Sequence, residues 1–274
     1  MYCQFYGLKE RPFNVTSDPE FFFFSRKHKE ALAHLAYGTT QRKGIMVITG
    51  EIGTGKTTLS RFFLNKMDKN VRTAFILNPS LSDTQLLQAI INDFGVSVKD
   101  KTKVSYIAGL NKFLLRESES GNNVVLIIDE AQNLKAQQLE QVRLLSNLET
   151  EKDKLLQIVL VGQPELNQRL DLYELRQLQQ RIMVRYHIGP LDKNEVRDYI
   201  AHRLYIAGSS LERIRFSPEA FEEIYDFSYG TPRLINILCD RALLAGFTLE
   251  TNKIDLTMVR KCCEELGSYF SGKV

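Results

Sequence analysis

Residues 50–58 read Gly50-Glu51-Ile52-Gly53-Thr54-Gly55-Lys56-Thr57-Thr58, which satisfies the spacing G-x-x-x-x-G-K-[ST]. That spacing suits a chain of phosphates. Glycines let main-chain N–H groups curl around phosphate oxygens with no Cβ in the way, and a helix opening behind them adds its positive N-terminal end. Lys56 would then reach the β- and γ-phosphates, and Thr57 would place its hydroxyl on a Mg2+ ion that the phosphates share. Thr58 caps or packs. A second candidate centre is Asp129-Glu130, two carboxylates that end the apolar run 124–128. Asp129 would hold the Mg2+ through its water shell, while Glu130, pointing to the other side, would polarise an attacking water as general base. The second carboxylate favours hydrolysis over phosphate transfer, because a transferase must keep water out and a hydrolase must activate it. Gln163, just past the run Leu160-Val161-Gly162, could orient that water, or it is a plain loop amide. Asn78, at the end of another apolar run, could restrain Glu130.

These groups need elements to hold them. The runs 45–48, 74–77, 124–128 and 158–161 are short, continuous and apolar, as strands buried on both faces are. Helical stripes lie between them: Leu59, Phe62, Phe63 and Met67 after the first, and Leu139, Val142, Leu145 and Leu148 after the third. Strand alternating with helix predicts an α/β fold with a parallel sheet flanked by helices. Near Gly189-Pro190 the strands cease. Helical stripes follow, Val196, Tyr199, Ile200 and Leu204, then Leu234, Ile237, Leu238 and Ala242, and Ser217-Pro218-Glu219 predicts a helix opening at 218. We therefore expect an α/β domain over 1–190, including the segment 1–40, and a smaller all-α lid over 191–274. Phe21, Phe22, Phe23 and Phe24 read as core or strand rather than as a binding patch.

Composition narrows the class. The chain has 274 residues, 43% hydrophobic and 25% charged, which excludes collagenous and wholly disordered readings. A net charge of +3 is too small to imply a nucleic-acid partner. Cys3, Cys239, Cys262 and Cys263 form no C-x-x-C pair, so neither a zinc ribbon nor a disulfide scaffold is written. No apolar run approaches the roughly 20 residues that cross a bilayer, and the amino end lacks a signal peptide, so the expected location is the cytoplasm.

Three stretches resemble the AAA+ ATPases of the general secretion pathway protein A (ExeA) type. They are Phe5-Tyr6-Gly7-Leu8 through Pro12-Phe13 and Asp18-Pro19, the phosphate loop 50–58, and Asp129-Glu130-Ala131-Gln132 with 144–150. The resemblance implies a P-loop NTPase core with a helical lid, ATP and Mg2+ as ligands, and arginines that read the γ-phosphate. Gly230-Thr231-Pro232-Arg233 looks like the start of the family's sensor 2 helix, which would bring Arg233 onto bound ATP. Arg181, with Arg176 close behind, resembles the finger given to a neighbouring subunit, which implies a homo-oligomer. It also implies work on a cell-envelope secretion or pilus machine, through an inner-membrane assembly protein as partner. The alternative is an ATP-switched DNA-binding regulator of the transposition type, motivated by Arg176, Arg181 and Arg185 in one segment. Members of the secretion type continue into a membrane segment and a peptidoglycan-binding region. Neither follows Val274, so the sequence reads as a stand-alone relative or as the part ahead of such a segment.

Overall fold

The four expected strands form: three are buried on both faces, as their nearly continuous apolar residues require, and the one over Val71–Ile76 is buried only at Ala74 and Ile76. In the computed structural model, which describes residues 1–77, 79–151 and 153–271, they are β1 (Ile45–Gly50), β2 (Val71–Ile76), β3 (Asn123–Ile128) and β4 (Gln157–Gly162). A fifth, β5 (Ile182–Ile188), was not expected. Its burial alternates along its length, and its exposed positions carry Met183, Arg185 and His187. It is one of the two edge strands, with β2 the other, of a parallel sheet ordered β2-β3-β4-β1-β5. β1 and β4 are buried at every position, so the strand that leads into the phosphate loop is among the least accessible in the chain. Because all five strands run parallel, β1, β3 and β4 end on one edge of the sheet, where ligands of open α/β folds bind.

The chain divides into two compact units. One comprises Arg26–Ile52 and Leu59–Ile188, the other Met1–Ser25, Gly53–Thr58 and Gly189–Val274. The first contains the sheet, with Leu86, Ile90, Leu110, Leu114, Leu139 and Val142 in the core beside its strands. The expected stripes are there but shorter: helix Lys56–Asn65 stops before Met67, and helix Ala136–Leu145 before Leu148.

The second unit is mainly helical, with the expected helix at Pro218–Ser228, whose first turn is capped by Ser217 Oγ accepting the Ala220 N–H at 3.2 Å. Two departures are seen. Strands do not cease altogether, since Arg215–Phe216 and Lys253–Ile254 form a short parallel ladder. The amino-terminal 25 residues, expected with the α/β part, share the helical core instead. The reason is chemical: Tyr2 donates to Asp240 at 2.5 Å, the Tyr6 hydroxyl lies 3.1 Å from the carbonyls of Leu243 and Thr251, and buried Arg203 donates to the carbonyls of Pro12 and Asn14. Phe21 and Phe22 are buried, but in a 3-10 turn and the coil after it rather than in a strand, and Phe24 is exposed.

Within the sheet-bearing unit, Glu117 is buried at the end of helix Lys103–Glu119 and accepts from Asn122 at 2.7 Å, Arg72 at 3.1 Å and Arg116 at 3.2 Å. The Asn122 amide and the two guanidinium groups hold this carboxyl below its ordinary value of 4.5. A carboxylate whose proton affinity drops on folding contributes stability above its unfolded value, and that contribution fades as pH falls through the folded one. Glu117→Gln should therefore cost about 1–2 kcal/mol at neutral pH. The cost should shrink as urea unfolding is repeated at successively more acid pH below 4.5. An equal cost at pH 7 and pH 3 would refute the assignment.

Candidate functional site

The loop after β1 takes its shape from glycines. Gly53 and Gly55 have φ of 83° and 93°, which side-chain-bearing residues rarely adopt. Gly53 also has no room. A Cβ there would lie 2.6 Å from Arg233 Cβ and 3.3 Å from Thr231 Cγ2, and the Arg233 N–H donates to the Gly53 carbonyl at 3.3 Å. The start of helix Pro232–Thr248 is thus seated on Gly53, and the part 53–58 of the loop belongs with it to the helical unit. Arg233 itself is exposed and forms no ion pair among the described residues. Thr54 and Lys56 are buried, whereas Thr57 and Thr58 are half-exposed in the first turn of helix Lys56–Asn65. Gly50 ends β1 in full burial, and Glu51 and Ile52 are exposed.

The carboxylates follow β3. Asp129 is 1% exposed, and its N–H donates to the Ile76 carbonyl at 2.9 Å, which carries the β2–β3 pairing one residue beyond the strand. Its Oδ1 accepts the Glu130 N–H at 2.9 Å. Glu130 departs from the strand by entering the left-handed region, φ 53° and ψ 36°. That conformation costs a residue with a side chain about 1–2 kcal/mol, so local contacts must hold it. They do: Glu130 Oε2 accepts from Gln132 Nε2 at 2.5 Å and from Gln163 Nε2 at 3.3 Å. Gln163 therefore reaches the carboxylate from the end of β4.

Gln132 enters the reading of the sequence only within the resembling stretch 129–132, with no role given to it, and the group around Thr49 is absent from that reading. Besides its place in that stretch, an amide two residues past an acid, with a glycine ending a neighbouring strand, is a signal that could have pointed to Gln132. Thr49, buried one residue before the loop, has Asn167 Nδ2 and His187 Nδ1 each 3.1 Å from its hydroxyl. Asn78 lies outside the described residues.

The arginine segment separates into different environments. Arg176 is exposed in helix Arg176–Gln179, with its guanidinium 4.4 Å above the Tyr173 ring. Arg181 is half-buried in the electrostatic field of Glu149, and Arg185 pairs with Asp171 at 3.1 Å.

The donor set fits a magnesium nucleotide. The loop conformation requires glycine at two positions, and a lysine, a hydroxyl and a buried aspartate are the kinds of group that would hold the phosphates and metal of such a ligand. Among the described residues no helix is long and apolar enough to cross a membrane.

An AAA domain is matched over residues 39–170. General secretion pathway protein A of Aeromonas hydrophila is 46% identical over 255 residues, which bears out the resemblance read from the sequence. That alignment covers 93% of this chain, and the chain spans 46% of the length of that relative. Among solved structures, the ORC2 protein of Aeropyrum pernix, in ADPNP-ADP complexes, superposes with a TM-score of 0.69 at 18% identity, covering 94% of this chain and 72% of that one. The RuvB Holliday junction branch migration motor of Thermotoga maritima gives 0.59 at 20%, covering 89% and 70%. At such identities these two speak for the fold alone.

Proposed function

With an AAA domain over residues 39–170 in a chain similar along most of its length to general secretion pathway protein A, the starting point is a P-loop ATPase, and we propose that it hydrolyses ATP with Mg2+ to drive or regulate assembly of a cell-envelope secretion or pilus system. The observation that carries the reading is the loop 50–58, whose Gly53 is hydrogen-bonded beneath the helix that begins with Pro232 and Arg233. Main-chain N–H groups of the loop receive the phosphates, Lys56 bridges the β- and γ-phosphates, and Arg233 reads the γ-phosphate. Thr57 and Asp129 would hold Mg2+, which when bound would neutralise charge on the phosphoryl oxygens. Glu130 takes the proton of a water whose oxygen bonds to the γ-phosphorus as the bond to ADP breaks, and Gln163 orients that water.

The site is completed by a second copy of the chain, with Arg181 as the preferred finger and Arg176 as the other candidate. The proposed location is the cytoplasm, at the inner membrane through an assembly protein as partner. The alternative of an ATP-switched DNA binder draws on Arg176, Arg181 and Arg185, but Arg185 is paired with Asp171 and Arg176 rests on Tyr173. DNA affinity that collapses as salt rises would favour it.

The test is steady-state phosphate release from Mg-ATP. The rate per chain should rise with protein concentration, and Arg181→Ala should lose about 10³-fold or more, the scale of arginine fingers in GTPases. Mixing Arg181→Ala with Lys56→Ala protein should restore part of the activity, since one copy then supplies the finger and the other the intact loop. A mixture no more active than its components rules out a site shared in that way.

A further inference from the structure

Gln132 joins the ends of two strands. It sits in the 3-10 turn Ala131–Asn133 after β3, and its Oε1 accepts the main-chain N–H of Gln163, the first residue after β4, at 3.0 Å. A main-chain N–H can only donate, so this contact fixes which way the amide points. Nε2 is thereby turned to Glu130 Oε2, at 2.5 Å. The Gln163 side chain meets the same oxygen from the other strand at 3.3 Å. Glu130 Oε1 has no hydrogen-bond partner among the described residues, so the pair of amides leaves one oxygen of the carboxylate for other work. Gly162 makes the space, because a Cβ there would stand 2.9 Å from Gln132 Oε1 and 3.3 Å from Gln132 N.

We infer that Gln132 is the positioning residue of the hydrolytic centre, locking the Glu130 carboxylate and the Gln163 backbone into one unit so that Oε1 faces the attacking water. This rests on the reading of Glu130 as general base. The lock acts on geometry and not on nucleotide affinity, since Gln132 contacts only Glu130 and Gln163 in the bonds described. A misplaced base costs up to about 10²-fold in rate.

The experiment uses the full chain and Mg-ATP. Gln132→Ala should lower kcat about 10- to 100-fold, with KM and the ATP-induced rise in melting temperature unchanged. Gln132→Glu keeps the shape and the acceptor for the Gln163 N–H, but it can donate to Glu130 only when protonated. Two carboxyls in contact share a proton and titrate at a raised apparent value. Turnover of Gln132→Glu should therefore be near that of wild type at pH 6 and fall away by pH 8, where wild type stays active. Asp129, which accepts the Glu130 N–H, and Arg169, which donates to the Leu134 carbonyl after the turn, are present in both proteins, so the difference between the profiles reports position 132. Wild-type kcat in Gln132→Ala, or parallel pH profiles for Gln132→Glu and wild type, overturns the inference while an inactive Glu130→Gln leaves the base in place. Turnover surviving in Glu130→Gln overturns the base reading and this inference with it. Should Gln132→Ala fail to fold, the isosteric Gln132→Glu profile decides.

Discussion

Glu130→Gln protein is expected to bind ATP as tightly as wild type and to release phosphate at least about 10²- to 10⁴-fold more slowly, the range that a general base contributes. The replacement keeps size and shape. Its carbonyl oxygen can still accept from Gln132 and Gln163, so the turn after β3 and its left-handed backbone have the same supports as before. What is lost is the ability to take a proton from water. Equal melting-temperature gains with ATP, together with single-turnover phosphate release, separate binding from chemistry. Release at the wild-type rate would show that the proton goes elsewhere, and the choice of hydrolysis over transfer would lose its support.

Lys56→Ala is expected to lose binding as well as turnover. Lys56 opens helix Lys56–Asn65 behind Gly55 and is buried, a position where its ammonium and the N–H groups of the first turn can serve one anion together. Saturating ligand at 100 times its Kd stabilises a protein by about 2.7 kcal/mol. That gain should appear as a rise in melting temperature for wild type with Mg-ATP and be nearly absent in Lys56→Ala, whose phosphate release should fall to background. The contrast is diagnostic: the Glu130 variant binds without turning over, and the Lys56 variant does neither. Equal release by Lys56→Ala and wild type would remove the phosphate loop from the reaction.

How far the sequence could be read depended on how local each signal is. β1, β3 and β4 were legible because each is a nearly continuous apolar run buried almost throughout, and β2, at the other edge of the sheet, was legible only through its apolar second half Ala74-Phe75-Ile76. β5 was not, since its burial alternates and it spaces Arg185 and His187 between its apolar residues, leaving no continuous run to read. Helix ends were read too long at Met67 and Leu148 because an apolar stripe can continue past the last helical turn: Leu148 still packs against the core from the coil, and Met67 is half-buried beyond its helix. The amino-terminal segment was assigned by its place in the chain. Its packing is governed by what Tyr2, Tyr6 and the carbonyls of Pro12 and Asn14 can bond to some 190 to 245 residues away.

The chemical centre divides along the same line. Residue types and spacing alone nominate the glycine loop, Lys56, Thr57, Asp129 and Glu130 as candidates, because each proposed task would demand a particular functional group at a set distance along a strand, turn or helix. No spacing rule could show that Gln132 and Gln163 converge on one oxygen of Glu130, or that Gly53 is bare because Arg233 stands over it. Those relations arise when strands 30 residues or more apart come to lie side by side and buried polar groups take the partners within reach. Burial and hydrogen-bond satisfaction in three dimensions chose them, from many amides and glycines that look alike along the chain.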